Sequence, residues 1–243
     1  MRLLAIGDIH GCLRSLTTLL DAVSPQSDDQ IVTLGDYVDR GPDSRGVLDR
    51  VIALHEAGQL VPLRGNHEIM MLEARTRRMR GWLACGGKQT LASYGIPLER
   101  IEAYAQADDW FNDHEELFEK IPVRHWKFLG EDCKPWHESD KHIFVHANIY
   151  PDLPLHEQPD SMLYWEKLTE PCPHVSGKIV VCGHTMQKRG LPLDLETNIC
   201  IDTGAHNEGW LTCLDVLSGR LWQANELGEA RMGWLDQCEE WTE

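Results

Sequence analysis

Five short apolar segments of the 243-residue chain end in polar side chains that can bind a metal ion. Asp8 and His10 follow the first segment and lie two residues apart, so both side chains leave the same face of the extended chain. Carboxylate, amide and imidazole donors together suit a divalent transition metal. Six such donors suit two ions about 3.5–4 Å apart that share one carboxylate. The candidate ligands are Asp8, His10, Asp36, Asn66, His146 and His184.

The segments before these side chains have the length and composition of buried strands, and a sixth segment resembles them. Each holds four or five residues, most of them apolar. Apolar residues recur at steps of three and four in residues 13–23 and 44–57, which predicts helices between the first three strands. Strands that alternate with helices pair in parallel, and a site forms beyond their carboxyl ends. The predicted strands are residues 3–6, 31–34, 60–63, 142–145, 178–182 and 198–201.

The remaining segments complete the prediction of an α/β (α+β) fold. Residues 68–120 have helical periodicity and predict a helical insertion. Residues 210–216 and 220–225 are short apolar runs in turn-rich sequence, which suits a second, mostly antiparallel sheet. The acidic tail, residues 226–243, fits either a short amphipathic helix or a packed terminus. We therefore expect one domain, residues 1–243, with two stacked sheets and flanking helices.

The charge of the chain excludes some classes of partner. Lys and Arg number 23 against 39 Asp and Glu, which gives a net charge of −16. Much of the acidity is local, because residues 101–119 hold seven acidic and no basic residues, and residues 226–243 hold six acidic residues and Arg231. Binders of nucleic acid or of membrane surfaces carry a basic field. We expect neither partner here.

The cellular location is predicted from the first residues and from the cysteines. The apolar run of residues 3–6 is too short for a signal peptide and meets Asp8 at once. The eight cysteines form no CxxC pair. We expect a cytoplasmic protein with reduced thiols.

The order of the motifs resembles that of a known family. GDIHG (7–11), GDYVDRG (35–41), RGNHE (64–68), FVHA (144–147) and GHT (183–185) are similar to the signature of the phosphoprotein phosphatases, within the calcineurin-like metallophosphoesterase superfamily. The small size of the chain resembles the compact bacterial and phage serine/threonine phosphatases. The resemblance implies a β-sandwich with helices outside.

The resemblance also assigns the candidate ligands to two ions. It implies that Asp8, His10 and Asp36 hold the first ion. Asp36 would bridge to a second ion, which Asn66 holds together with two imidazoles. In the family these ions are manganese, iron or zinc, and we expect manganese. The two imidazoles of the second ion are those of His146 and His184.

The same resemblance implies roles for four residues that lie near the candidate ligands in the sequence. His67 would protonate the leaving oxygen, and Asp39 would orient its imidazole and keep it protonated. Arg40 and Arg64 would bind phosphate oxygens, for which the planar guanidinium is well shaped. The ions would activate a water for in-line attack on phosphorus. We expect no covalent phosphoenzyme. Lys167 stands near the place of a further phosphate-binding arginine of the family, and its role stays open.

These residues predict a phosphomonoesterase that acts on phosphoserine and phosphothreonine proteins, with dual specificity left open. The alternative is a symmetrical diadenosine tetraphosphate hydrolase. That relative typically lacks the aspartate of GDxxDRG, which is present here as Asp39. Nucleases and many phosphodiesterases of the superfamily resemble GHxH at the last motif, whereas this chain has Met186 at the final position.

Rival chemistries fit the sequence less well. A cysteine-based phosphatase needs a C-x5-R loop, whereas six residues separate Cys182 from Arg189. A P-loop needs Ser or Thr after its Gly-Lys pair, whereas Lys88 precedes Gln89. A non-catalytic scaffold on the same fold would be expected to lack ligands or the acid, and all of them are present here.

Overall fold

The computed structural model describes residues 1–76, 80–106 and 116–241, and its first sheet has six strands in the order β11-β10-β9-β1-β2-β3. The pairs β1–β2 and β2–β3 are parallel, as the alternation of strands and helices predicts. The strands of this sheet are β1 (Leu3–Ile6), β2 (Gln30–Thr33), β3 (Leu60–Pro62), β9 (Leu211–Asp215), β10 (Arg220–Ala224) and β11 (Ala230–Trp234).

The assignment of residues 210–216 and 220–225 to the second sheet is wrong. These residues form β9 and β10, and β9 pairs antiparallel with β1 on the side opposite β2. The acidic tail is not an amphipathic helix either, because β11 pairs antiparallel with β10 before a 3-10 helix at Leu235–Trp241. Local apolar pattern shows that a segment is a strand, but it does not show which open sheet edge the strand will join.

The second sheet has five strands in the order β4-β5-β6-β8-β7. The pairs β5–β6 and β6–β8 are parallel, and only the outer strands β4 and β7 pair antiparallel. The sheet is therefore mixed, with a parallel centre, and the prediction of a mostly antiparallel sheet is wrong. Its strands are β4 (Trp136–Glu138), β5 (His142–Val145), β6 (Ile179–Cys182), β7 (Leu193–Asp194) and β8 (Asn198–Cys200).

Helices cover the outer face of the first sheet. Because α1 and α2 connect its parallel strands, they return the chain across one face of the sheet each time. α3 begins at Asn66, inside the RGNHE motif, so the helical region starts two residues before the predicted bound. A π-helical turn at Leu83–Gly87 connects α4 to α5. The α-helices of the described residues are α1 (Leu13–Val23), α2 (Ser44–Glu56), α3 (Asn66–Thr76), α4 (Arg80–Trp82), α5 (Lys88–Ser93), α6 (Leu98–Gln106), α7 (Val123–Lys127) and α8 (Asp160–Tyr164).

Alternate residues of β1 point to opposite faces of the sheet and pack in two different hydrophobic clusters. Leu3 and Ala5 face the second sheet and pack in one cluster with Phe144 of β5. Leu4 and Ile6 face the helices and pack in a second cluster. A strand buried on both faces fixes its register strongly, since a shift by one residue would exchange the two faces. The fold is thus the predicted two-sheet sandwich with helices outside.

Part of the predicted insertion lies outside the described residues. Residues 77–79 include two arginines of the basic run that follows RGNHE, and residues 107–115 hold four of the seven acids of residues 101–119. None of the helices in the described ranges has the length and apolar character that a membrane span requires.

Candidate dinuclear metal centre

The ends of the strands place Asp36 at the centre of the candidate site. Its Oδ2 lies 3.3 Å from Nε2 of His10, and its Oδ1 lies 3.5 Å from Nε2 of His146. Two groups of potential ligands share this carboxylate, one with His10 and His67 and the other with His146 and His184. Within each group the ligand atoms lie within 4.8 Å of one another. A carboxylate shared by two ions would need such an arrangement, and the bridging role of Asp36 stays a prediction.

Sharp backbone turns aim these side chains at the centre. His10, Asp36 and His184 have positive φ angles of 47°, 51° and 59°, a region that non-glycine residues adopt rarely and at a cost of about 1–3 kcal/mol each. Glycines of the motifs allow close approach, since a Cβ at Gly65 would collide with Asp36 and one at Gly183 with Asp8. The spacing of glycine and ligand in the motifs therefore follows from packing at the site.

Hydrogen bonds set the tautomers of two imidazoles so that their lone pairs face inward. Nδ1 of His10 lies 2.9 Å from the carbonyl oxygen of Val38, and Nδ1 of His146 lies 2.8 Å from that of Leu34. A carbonyl only accepts, so each Nδ1 carries the proton and each Nε2 keeps its lone pair. Burial lowers the pKa of both imidazoles, which favours the neutral form that a metal ligand needs.

The ring of His184 is oriented in the opposite sense to that of His146, and both rings contact the side-chain amide of Asn66. Its Nε2 lies 3.0 Å from the carbonyl oxygen of Trp165, so its Nδ1 keeps the lone pair. That Nδ1 lies 3.1 Å from Oδ1 of Asn66, and Nε2 of His146 lies 2.9 Å from the same oxygen. Three electron pairs thus converge with no proton between them. A cation at this point satisfies all three, so the residues fit the second metal ion.

Two buried carboxylates extend the negative charge of the site. Asp8 accepts a hydrogen bond from the backbone N–H of His184 at 3.0 Å and is 3 % exposed. Burial raises the pKa of Asp8, and the carboxylates of Asp202 and Asp36 raise it further. Burial likewise raises the pKa of Asp202 to about 6. A cation bound nearby would favour the charged form of these carboxylates. Asp8 lies outside both compact groups of ligand atoms, so its binding of the first ion stays a prediction.

His67 and Asp39 form a direct contact beside the centre. Nδ1 of His67 lies 2.6 Å from Oδ2 of Asp39, and both side chains are buried. Burial alone would lower the pKa of His67, but the carboxylates of Asp36 and Asp39 outweigh it, so the pKa is raised. The raised pKa favours the protonated form that a general acid requires, and Nη2 of Arg40, which lies 2.9 Å from Nε2, must then stop donating to it.

The two arginines are placed differently. Nη1 of Arg40 lies 2.9 Å from Nε2 of His10, and its Nη2 lies 2.9 Å from Nε2 of His67. The exposed Arg40 therefore faces the centre. Arg64 donates from Nε to the carbonyl of Leu129 at 3.0 Å and from Nη2 to that of Gly130 at 2.8 Å. Because these bonds hold its guanidinium against a turn, phosphate binding by Arg64 stays a prediction.

The structure adds residues to which the sequence assigned no role. The carboxylate of Glu68 is fully buried and accepts hydrogen bonds from the backbone N–H groups of Gly65, Asp36 and Tyr37, each at 2.8 Å. Glu68 is the last residue of the RGNHE motif, so the sequence contained a pattern that could have marked it as a site residue. Asp202 directly follows the sixth apolar segment, which is the pattern that marked the candidate ligands. Trp82 and Thr90 contact Asp39 from the helical insertion, where nothing in the local sequence marked them.

Comparison with known proteins agrees with this geometry. Residues 1–188 match the calcineurin-like phosphoesterase family. The chain is 44% identical to serine/threonine-protein phosphatase 1 of Salmonella typhimurium over 216 residues, which cover 85% of this chain and 88% of that protein. It is 34% identical over 150 residues to a symmetrical bis(5'-nucleosyl)-tetraphosphatase of Janthinobacterium sp., covering 60% of this chain and 43% of that longer protein.

A solved structure supports the fold. The cold-active protein-tyrosine phosphatase of Shewanella sp. is 19% identical and superposes with a TM-score of 0.61, covering 95% of this chain and 80% of that one. At this identity the likeness concerns architecture alone. Members of the matched family hydrolyse phosphoesters with a dinuclear divalent metal centre, and the ligand groups around Asp36 fit such a centre. The chain belongs to the calcineurin-like phosphoesterase family.

Proposed function

We propose that this phosphoesterase is a protein phosphatase that removes phosphate from phosphoserine and phosphothreonine side chains. The observation that carries the proposal is the contact of 2.6 Å between buried His67 and Asp39. Alkoxide is a poor leaving group, so its departure needs a proton from a positioned acid. The overall similarity to a serine/threonine phosphatase, which extends over 88% of that relative, supports the same substrate class.

The chain's own residues account for binding of the ions. His10 and Asp36, with Asp8 beside them, would hold the first ion, and Asp36 would share the second with Asn66. His146 and His184 complete this second set. When bound, two divalent ions lower the pKa of a water and neutralise the charge of the phosphate. We expect manganese to support activity, with iron or zinc as alternatives, because mixed carboxylate and imidazole sites accept all three.

Binding and proton transfer then fall to side chains at the rim. Arg40 is exposed and its two Nη atoms point at the centre, so it can bind two phosphate oxygens in the bidentate manner of a guanidinium. His67 donates the Nε2 proton to the leaving oxygen, while its Nδ1 proton stays bonded to Asp39. After departure of the alcohol, His67 regains its proton from solvent.

A second function is favoured by a specific similarity. Several relatives are symmetrical bis(5'-nucleosyl)-tetraphosphatases, including one that is 48% identical over 68 residues, 28% of this chain. These matches concentrate on shorter stretches than the phosphatase match. A symmetrical diadenosine tetraphosphate hydrolase is therefore the alternative proposal.

One comparison separates the two proposals. We would measure kcat/KM of the manganese-loaded enzyme for phosphoserine, phosphothreonine and phosphotyrosine peptides and for diadenosine tetraphosphate. A protein phosphatase should favour a phosphopeptide. A clear preference for the dinucleotide would replace the first proposal with the alternative. Loss of turnover in Asp36→Asn, beside the wild type, shows that the measured activity belongs to this site.

A further inference from the structure

Within residues 1–76, 80–106 and 116–241, the carboxylate of Asp39 has three side-chain partners, two of which come from the helical insertion. Nε1 of Trp82 lies 2.9 Å from Oδ2 and 3.0 Å from Oδ1, so the indole N–H bridges both oxygens. The hydroxyl of Thr90 donates to Oδ1 at 2.7 Å, and Nδ1 of His67 lies 2.6 Å from Oδ2. None of these four side chains exceeds 2 % exposure.

The backbone of the helical insertion packs closely against Asp39 and its neighbour Arg40. Trp82 ends α4 and Thr90 lies in α5, with the π-helical turn between them. Gly86 has a φ of 119°, and a Cβ there would lie 2.5 Å from the backbone nitrogen of Arg40. A Cβ at Gly87 would lie 2.5 Å from ring atoms of Trp82. Gly86 therefore lets the turn pack directly against Arg40 and Asp39, and Gly87 lets it pack against the ring of Trp82.

These contacts constrain the direction of one carboxylate. An indole nitrogen only donates a hydrogen bond and exchanges no proton near neutral pH. Its bridge across Oδ1 and Oδ2 opposes rotation of the carboxylate about its terminal bond, and Thr90 fixes the oxygen that His67 does not use. Hydrogen bonds to a buried charge are strong and geometrically selective. The aim of the His67 imidazole thus depends on donors that do not touch it.

We propose that Trp82 and Thr90 are positioning residues for proton transfer, which act through Asp39 on His67; this inference rests on the proposed phosphomonoesterase function. The helical insertion then supplies part of the acid machinery, in addition to covering the sheet. Loss of either donor should slow the departure of a leaving group that needs a proton. A leaving group that departs without one should be affected little.

The test compares two leaving groups in the manganese-loaded enzyme. Trp82→Phe keeps an aromatic ring and removes the N–H, while Thr90→Val keeps the shape and removes the hydroxyl. We would measure kcat for a phosphoserine peptide and for p-nitrophenyl phosphate. The kcat for the peptide should fall about tenfold more than the kcat for the aryl ester in each variant. Trp222→Phe, a buried tryptophan of β10, is the matched control and should change both substrates alike.

Each outcome is decisive. Equal losses on both substrates, in variants that keep the wild-type melting temperature, would show a structural role and overturn the inference alone. The same substrate split in Trp222→Phe would also overturn it. If Trp82→Phe does not fold, Thr90→Val carries the same expectation, and equal losses on both substrates in that variant overturn the inference. If the wild type hydrolyses neither monoester, the proposed function fails and the inference fails with it.

Discussion

Oε2 of Glu68 accepts the backbone N–H of Asp36 at 2.8 Å, so a buried acid on the first turn of α3 supports the loop that carries the candidate bridging ligand. Asp36 has a left-handed conformation and lies beyond the end of β2, so its N–H is outside the β2 ladder. Glu68 supplies the missing acceptor and binds the neighbouring N–H of Tyr37 in the same way. Burial raises the pKa of Glu68 to about 7, and the hydrogen bonds from the backbone N–H groups of Gly65 and Asp36 oppose this rise.

Glu68→Gln should weaken both the fold and the metal site. The side-chain amide of glutamine would point an N–H group at backbone N–H groups that now donate to a carboxylate oxygen. Each buried donor that is left unpaired would cost about 1–3 kcal/mol. We expect affinity for manganese to fall about 10–100-fold, as for loss of an outer partner of a ligand. Calorimetric titration with manganese and urea unfolding measure the two effects. Glu56→Gln, an exposed residue at the end of α2, should change neither.

His67→Asn should abolish acid catalysis and leave the ions in place. Its Nε2 lies 4.0 Å from Oδ2 of Asp36, close enough to group with the ligands of the first ion. If it is the acid, kcat for a phosphoserine peptide should fall about 10²–10⁴-fold. Elemental analysis should still find two ions per chain. Loss of one ion together with activity would instead make His67 a ligand.

Asp202→Asn should stabilise the metal-free protein and weaken metal binding. Asp202, Asp8 and Asp36 place three carboxylates in one buried site, and their repulsion is uncompensated when the ions are removed. We expect the melting temperature in chelator to rise, and the affinity for manganese to fall about tenfold. Asp215→Asn, a buried carboxylate on β9, serves as control and should show no dependence on metal. A lower melting temperature of Asp202→Asn in chelator would contradict this account.

The ion pair of Arg2 and Asp29 should make the free energy of unfolding fall at acidic pH. The guanidinium hydrogen bond, at 2.9 Å from Nε, lowers the pKa of Asp29 to about 2, below the value near 3.9 of an unfolded chain. The stabilisation is therefore complete above about pH 4 and is lost as the pH falls through about 2. Asp29→Asn should lower the free energy of unfolding by about 2 kcal/mol at pH 7.

Urea unfolding at several pH values between about 2 and 7 checks this prediction. The difference between wild type and Asp29→Asn should shrink as the pH falls. Asp28→Asn removes an exposed neighbour that pairs with the terminal amine at 3.0 Å, and it should cost under about 1 kcal/mol. A difference that stays constant with pH would show that Asp29 acts through packing and not through charge.

Sequence reasoning found the strands and brought together the candidate ligands because both leave a local signal. Four or five apolar residues followed by glycine and a ligand mark a buried strand that ends at a site, and Asp36 and His146 meet as that pattern predicts. The pairing of β9 with β1 leaves no local signal, since it joins residues about 210 positions apart. Trp82 was missed for the same reason, because an indole within a helical pattern looks like a core residue until its partner is known.

The antiparallel pairing of β9 with β1 has a consequence for synthesis of the protein. Ala5 lies opposite Leu214, so the strand that precedes Asp8 and His10 is flanked on one side by residues that are synthesised much later than the strand itself. Until then this side of β1 is an unpaired sheet edge, a template for association with other chains. The nascent chain must therefore keep its first candidate metal ligands beside an incomplete sheet edge until residue 215 has left the ribosome.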